Sequence, residues 1–316
     1  AHYGVFAATD EGVLSFVRQG GSIGDSRLSW VEGQDKVPVV DRAKSLLGFD
    51  LSPDGTRIAI SMVDDQQGSF DVWVHDIERD LATRLTFAAD SEMGPVWSPD
   101  GRWIAYSAED AGLNVISRKS AAGGGRPEVL LKMDTDLFVD SFAPDGRTLS
   151  FTKVGDTGGF SVWLLDLESG ETRQFRETPY NTGNSRFSPD GRWLAYVSDE
   201  TGQPEVFVES IGPDEGRWRI SSRGGALPMW APSGDRVYFV ETSGDLLATE
   251  IVRTDTGLAI GRTQPVTGGL SSTFYRSYSV DRTSGRILVQ VPAQENLSNR
   301  IEIVTSWRQL LARGED

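Results

Sequence analysis

Short runs of apolar and β-branched residues, each about four to eight long, follow one another along the chain and are separated by turn residues. The segment Phe187–Val197 is typical: an aromatic strand end, the turn Ser188-Pro189-Asp190-Gly191, and a second strand rich in aromatic residues. Proline presets one backbone angle of such a turn, and Asp-Gly supplies a residue that tolerates positive φ. The pattern therefore predicts β-hairpins over most of the chain.

This hairpin recurs at a nearly constant interval. Its turn begins at Ser52, Ser98, Ala143, Ser188 and, in a degenerate form, Ala231, so the spacings are 46, 45, 45 and 43 residues. Each interval has room for four strands of about five residues with short turns, which is typical of a β-propeller blade. Because one blade cannot bury both of its faces, the copies are expected to stack around a ring.

The predicted fold is therefore an all-β propeller that forms a single domain over residues 1–316. Dividing the 316 residues by the repeat gives about seven copies, so seven blades of four antiparallel strands are favoured. Six is the alternative, should the first or the last copy lack a full blade. The helical spacing of Trp307–Arg313 predicts a short C-terminal helix over 306–313. The predicted blades are approximately 1–46, 47–92, 93–137, 138–182, 183–224, 225–270 and 271–306.

Charge and composition exclude several classes of function. The formal net charge is −15, whereas nucleic acids and anionic membranes are bound by basic surfaces, so neither is an expected partner. The chain has no cysteine, which excludes disulfides, thiolate chemistry and Cys-ligated zinc. No apolar run reaches the roughly eighteen residues of a membrane span, so no membrane insertion is expected within this chain, although a full-length protein with an anchor is left open.

The repeated Ser-Pro-Asp-Gly-Arg element with its aromatic flanks resembles the repeat of TolB-like and WD-repeat-like β-propellers. Phe187–Val208, together with Arg27–Trp30 and Trp307–Leu311, is similar to the propeller that follows the kinase domain of bacterial Ser/Thr protein kinases. In that family the propeller lies outside the membrane, C-terminal to a cytoplasmic kinase and one transmembrane helix. The resemblance implies an extracytoplasmic sensor domain, periplasmic or at the cell surface. The kinase motifs themselves are absent from this sequence.

Catalytic motifs are weak, and no enzymatic activity is expected. Gly20–Gly24 matches the nucleophile-elbow pattern around Ser22, but that elbow needs a following helix and the sequence predicts a strand at Arg27–Val31. His75 is expected to be a polar group at a strand end. The Pro-Asp-Gly aspartates are expected to form turns by accepting backbone N–H groups two residues on. The tryptophans recur in register and are expected to pack between blades.

Candidate binding residues lie where the repeats differ, in the segments that lead from the outer strand of one blade to the inner strand of the next. Such segments meet at one face of a propeller, around the mouth of its channel, where converging polar groups form a binding site. Paired acids there suit a hard cation, so Ca²⁺ or Mg²⁺ held by Asp136 and Asp140 is the one metal considered. The candidates are Asp90, Glu92, Asp136, Asp140, Asn181, Asn184, Arg223, Tyr275 and Arg276.

Three hypotheses of function remain. The favoured one is a non-catalytic sensor or scaffold that recognises a protein or peptide, or else a small ligand, at the channel mouth, as in the sensor domain of a receptor kinase. The second is a lactonase-like propeller enzyme, or an enzyme accessory, with a metal in its channel. The third is a structural repeat body that binds no ligand.

Overall fold

All helices and strands that the computed structural model describes in this chain are β-strands; the described residues include no helix. It describes residues 26–33, 35–40, 45–63, 68–155, 158–212, 216–255, 257–270 and 276–292, with the backbone of 6–8, 13–17 and 301–305. The predicted helix at 306–313 lies outside the described residues. In chain order the strands are β1 (Phe6–Ala8), β2 (Val13–Val17), β3 (Ser26–Glu32), β4 (Asp35–Val40), β5 (Leu46–Leu51), β6 (Arg57–Val63), β7 (Phe70–Asp76), β8 (Leu81–Arg84), β9 (Met93–Trp97), β10 (Trp103–Asp110), β11 (Leu113–Ser120), β12 (Glu128–Met133), β13 (Leu137–Phe142), β14 (Thr148–Val154), β15 (Phe160–Asp166), β16 (Thr172–Gln174), β17 (Thr182–Phe187), β18 (Trp193–Ser198), β19 (Glu205–Ser210), β20 (Arg217–Arg219), β21 (Ala226–Trp230), β22 (Arg236–Val240), β23 (Leu246–Thr254), β24 (Gly257–Thr267), β25 (Tyr278–Val280), β26 (Ile287–Pro292) and β27 (Ile301–Thr305).

Six antiparallel sheets of four strands form the blades of a propeller. Blades 1 to 5 each consist of four consecutive strands: β5–β8, β9–β12, β13–β16, β17–β20 and β21–β24. Blade 6 has the order β25-β26-β3-β4, so it combines two strands from each end of the chain. The first strand of every blade contacts the first strand of the next, including β25 with β5, and these contacts close the ring.

The expectation of seven blades is wrong, because the first and last sequence copies do not form separate blades. They share one: β26 pairs with β3, which places Leu288 opposite Trp30. The other terminal strands, β1, β2 and β27, pair with one another in a three-stranded sheet. Dividing chain length by the repeat counted two half-blades as whole ones. Hydrogen bonds between the two ends of the chain thus complete the sixth blade and close the ring.

The repeated turns form a ring of their own at one end of the channel. In the first of them Asp54 accepts the backbone N–H of Thr56 at 3.1 Å, and Asp100, Asp145 and Asp190 make the same bond. These bonds confirm that the aspartates form turns. The turn glycines have positive φ and lie against the preceding blade's turn: a Cβ added at Gly101 would lie 3.6 Å from Pro53. The turns are therefore contacts between blades as well as connections within them.

The hydrophobic core lies between neighbouring blades. Trp97 is fully buried, and Trp30, Trp193 and Trp230 are nearly so, as their register predicts. The indole N–H of Trp97 also donates to the main-chain oxygen of Asp50 in the preceding blade at 3.1 Å. Large rings and such hydrogen bonds together fill and fasten the wedge between blades. Within the described ranges, no helix is long and apolar enough to cross a bilayer.

Candidate functional site

A cavity of about 240 Å³ lies in the channel at the end opposite the turn ring, where the inner strands begin. All six blades contribute to it, from Gly48 in blade 1 to Arg276 just before β25 of blade 6. Its walls are largely apolar, and a few polar groups converge on them, as in most small-molecule sites. The apolar wall includes Phe49, Met93, Phe138, Phe160, Val197 and Leu227.

Irregular backbone brings these residues into the channel. In blades 1 to 5 the pairing of the first two strands shifts register close to the cavity, as it does at a β-bulge. Residues with positive φ lie at these shifts, namely Gly48, Gly94, Asn184 and Leu227. A leucine with a φ of 53° is strained, and its carbonyl accepts the Tyr278 hydroxyl at 2.6 Å. Bulges redirect side chains, and here they direct them towards the channel.

Arg276 closes the floor of the cavity. It comes from blade 6, and its guanidinium forms an ion pair with the Asp50 carboxylate of blade 1. The same guanidinium donates to the main-chain oxygen of Asp140 in blade 3, across the ring, at 3.2 Å. Asp50 is buried and also accepts the backbone N–H of Trp97 at 2.9 Å. One arginine therefore joins blades 1, 3 and 6 at the wall of the cavity.

Arg186 is the second arginine at this floor. Its guanidinium donates to the main-chain oxygens of Asp140 and Ser185. Burial, and then the nearby charge of Arg276, lower the pKa of Arg186 to about 9, so it stays protonated at neutral pH. Two positive charges thus face one small cavity.

The Asp140 carboxylate points to neighbouring hydroxyl groups. Its Oδ2 accepts the hydroxyls of Thr152 and Ser185, both at 2.8 Å, and the backbone N–H of Ser185 at 3.1 Å. Burial raises the pKa of Asp140, while the Arg186 charge and these hydrogen bonds oppose the shift. Asp140 therefore anchors the start of β17 to β13 and lends part of its surface to the cavity.

The side-chain amide of Asn181 holds the rim of the cavity in place through hydrogen bonds. Asn181 donates its side-chain N–H to Asp199 at 2.6 Å and accepts the backbone N–H of Phe160 at 2.8 Å. Phe160 is thereby held at the cavity wall, and Asn184 lies beside it at the bulge of β17. Of the predicted site residues, the structure brings Asp140, Asn181, Asn184 and Arg276 to one cavity.

The other predicted residues lie elsewhere. Asp90 and Asp136 are exposed and do not line the cavity. Arg223 is exposed and pairs with Glu241 at 3.0 Å, beside a separate depression. Glu92 is buried between blades 1 and 2, away from the cavity lining. Tyr275 and Ser22 lie outside the described residues.

Sequence reasoning missed Arg186 and Asp50. Both lie two residues before a repeated turn, inside the inner strands that were counted as uniform repeat. At the same position blades 2 and 5 have Val96 and Met229. A charged residue at an apolar strand position was the available signal, because charges are rarely buried unless they are paired.

The described residues contain no group of three or more His, Asp or Glu side chains that could hold a metal ion. Asp136 is exposed and Asp140 buried among hydroxyls, so the structure supplies no further ligand for the cation considered from the sequence. The arrangement at the floor, with two guanidinium groups among apolar walls, is instead suited to holding an anionic group.

Comparison with known proteins finds similarity over about half of the chain. Residues 126–270 match the family model of the TolB beta propeller domain. An uncharacterized protein of Agrobacterium fabrum is 32% identical over 152 residues, which cover 47% of this chain and 50% of that protein. An uncharacterized peptidase of Bacillus subtilis is 23% identical over 189 residues, covering 48% of this chain and 29% of the peptidase. The chain thus spans half or less of the length of these relatives.

Solved structures agree on the fold. A protein described as TolB from Agrobacterium tumefaciens superposes with a TM-score of 0.69 at 19% identity, over 85% of this chain and 98% of that one. TolB from Acinetobacter baumannii gives a TM-score of 0.55 at 14% identity, over 95% and 80%. The tricorn protease gives 0.55 at 12% identity, over 97% of this chain and 35% of the protease. These likenesses support a β-propeller fold.

Proposed function

We propose that this propeller is a non-catalytic binding module that receives its ligand in the channel cavity. The observation that carries the proposal is a single cavity wall built from all six blades, with apolar sides and a charged floor. Arg276 closes that floor, so a ligand enters from the mouth and stops there. Such a concave, largely apolar site with a few fixed polar groups is the usual form of a binding site.

The chemistry of the described lining supports binding over catalysis. The hydroxyl of Ser185 beside Asp140 is fully buried, so a substrate does not reach it. His75, a described histidine, lies on β7 of blade 1 with its Nε2 3.6 Å from Asp80, and does not line the cavity. A nucleophile with an adjacent base is what covalent catalysis needs, and the described lining provides no such pair.

The biological setting we propose is an extracytoplasmic sensor or scaffold with a protein or peptide partner. Support comes from the TolB-type propeller match and from the repeat's resemblance to propellers attached to Ser/Thr kinases. A small ligand would occupy the same cavity. The sequence that precedes this chain in its gene tests the receptor role: a membrane-spanning helix after a kinase domain supports it, and a lone export signal contradicts it.

Binding itself is tested by titrating a panel of short peptides and small organic acids, with and without charge, while following the thermal unfolding midpoint. Val197→Trp is designed to fill the cavity mouth, since Val197 lines it at the end of β18. Gln264→Trp, on the exposed outer strand of blade 5, is the matched control. We expect ligands that raise the midpoint of the wild type and of Gln264→Trp but not of Val197→Trp.

Two outcomes overturn the proposal. Stabilisation that persists in Val197→Trp would place the site elsewhere. Chemical conversion of a peptide, ester or lactone, detected by mass spectrometry and lost in Val197→Trp, would make the cavity an active site and favour the enzyme hypothesis.

A further inference from the structure

The two arginines at the cavity floor are unequally compensated. Arg276 is about nine-tenths buried and has the Asp50 carboxylate as its counter-ion. Arg186 has hydrogen bonds to main-chain oxygens only, and no carboxylate of the described residues forms an ion pair with it. A guanidinium forms its strongest bonds with carboxylate or phosphate. The positive charge of Arg186 is thus the one that a ligand would complement.

Two unpaired N–H donors of these arginines also indicate that the cavity takes an acceptor. The Nε atoms of both Arg186 and Arg276 are buried, and neither has a hydrogen-bond partner in the described part of the protein. Buried donors are nearly always paired in native structures, so two of them at one cavity require an explanation. Both side chains line that cavity, so the unpaired donors belong to the two guanidinium groups nearest to a bound ligand.

The walls define the rest of the ligand. Phe49, Phe138 and Phe160 bring three aromatic rings to the lining, and Leu227 adds an aliphatic side chain. A group that fills the space above the arginines must therefore be apolar, because a polar group would lose its water without gaining partners.

Building on the function proposed above, we infer that the cavity binds the carboxylate of an apolar acid, such as the free C-terminus of a peptide that ends in an apolar residue. Arg186 is its counter-ion, and the phenylalanines hold the apolar part. A carboxylate suits the site better than phosphate, because Asp199 also lines the cavity and repels a second negative charge.

The test is calorimetric titration with N-acetyl-Leu-Phe and with the same dipeptide as its C-terminal amide. These two probes differ only in the carboxylate. We expect the acid to bind at least tenfold more tightly than the amide, and Arg186→Gln to remove that difference. Arg223→Gln is the matched control, since Arg223 is an exposed arginine outside the cavity. Arg186→Lys keeps the charge without the planar fork and should give an intermediate affinity.

Circular dichroism establishes whether each variant is folded. If Arg186→Gln does not fold, Arg186→Lys takes its place in the test. The inference is overturned if the acid and amide bind equally and Val197→Trp abolishes both, which would leave the proposed binding function standing. It is also overturned if the acid does not bind at about 10 mM, or if phenyl phosphate binds more tightly than the acid.

Discussion

Replacing Glu92 by glutamine tests the packing between blades 1 and 2. Glu92 is 3% exposed, and the hydroxyl of Thr86 donates to its Oε2 at 3.0 Å. Burial is the main cause that raises the pKa of Glu92 to about 7, and the neighbouring Asp71 carboxylate adds to it. The folded protein therefore holds a proton on Glu92 that the unfolded chain has released.

The size and sign of the effect follow from these two states. The unfolded carboxyl has a pKa of 4.5 and the folded one about 7, and each unit of difference is about 1.36 kcal/mol. Because the folded pKa is raised, the contribution of Glu92 is fully present below about pH 4.5 and is lost as pH rises through 7. The loss amounts to about 3 kcal/mol as an upper limit. Glutamine stays neutral, so the stability of Glu92→Gln relative to the wild type should rise by about 2–3 kcal/mol between pH 5 and pH 8.

Urea unfolding followed by tryptophan fluorescence at several values between about pH 5 and 8 measures this difference. Burial lowers the pKa of His75, so its contribution has the opposite sign and is lost as pH falls below about 6.5. Subtracting the wild-type curve from that of Glu92→Gln removes this background. Glu78→Gln, in an exposed turn of the same blade, is the matched control for the substitution itself. A difference for Glu92→Gln that does not change with pH would refute the reasoning.

Three further outcomes are expected. Arg276→Met leaves the buried Asp50 carboxylate unpaired and should lower the unfolding free energy by about 3–5 kcal/mol. The double variant Arg276→Met/Asp50→Asn should recover most of this loss, and simple additivity of the two single effects would contradict the prediction. Arg186→Met removes a charge that opposes the raised pKa of the buried Asp140 carboxyl, together with hydrogen bonds to two main-chain oxygens, and should lower the unfolding free energy by about 1–3 kcal/mol; an unchanged melting midpoint would contradict this. Removing residues 1–40 deletes half of blade 6 and should give insoluble protein, whereas removing 1–24 should leave the ring soluble; a soluble product from both would exclude the shared blade.

The hairpins were predictable from the sequence because short-range bonds determine them. In each clear repeat the aspartate of the turn accepts an N–H only two residues away, so the local sequence contains the whole motif. The number of blades was not predictable in this way. It depends on the pairing of β26 with β3, between opposite ends of the chain, and no local pattern in Ser26–Glu32 distinguishes half a blade from a whole one.

The sequence predicted where the cavity lies, but not all of the residues that line it. Loops entering the inner strands were expected to reach the channel, and Asp140, Asn184 and Arg276 do line the cavity. Polarity alone did not separate them from Asp136, which is exposed, because the register shifts that turn side chains inward are a property of strand pairing. Arg186 was hidden at an inner-strand position that holds Asp50 and Ser141 in blades 1 and 3 and apolar residues in blades 2 and 5.

One position of the inner strands shows how the ring combines stability with a binding site. Two residues before the turn, Asp50 and Ser141 accept a backbone N–H from the inner strand of the next blade, at 2.9 and 3.3 Å. Arg186 occupies the same position in blade 4 and has no acceptor to offer, so its guanidinium turns to the channel floor. Between the inner strands of blades 4 and 5, the indole N–H of Trp230 donates to the main-chain oxygen of Arg186 at 3.2 Å. Because the main chain supplies this contact, blade 4 can place a charge in the cavity and remain fastened to blade 5.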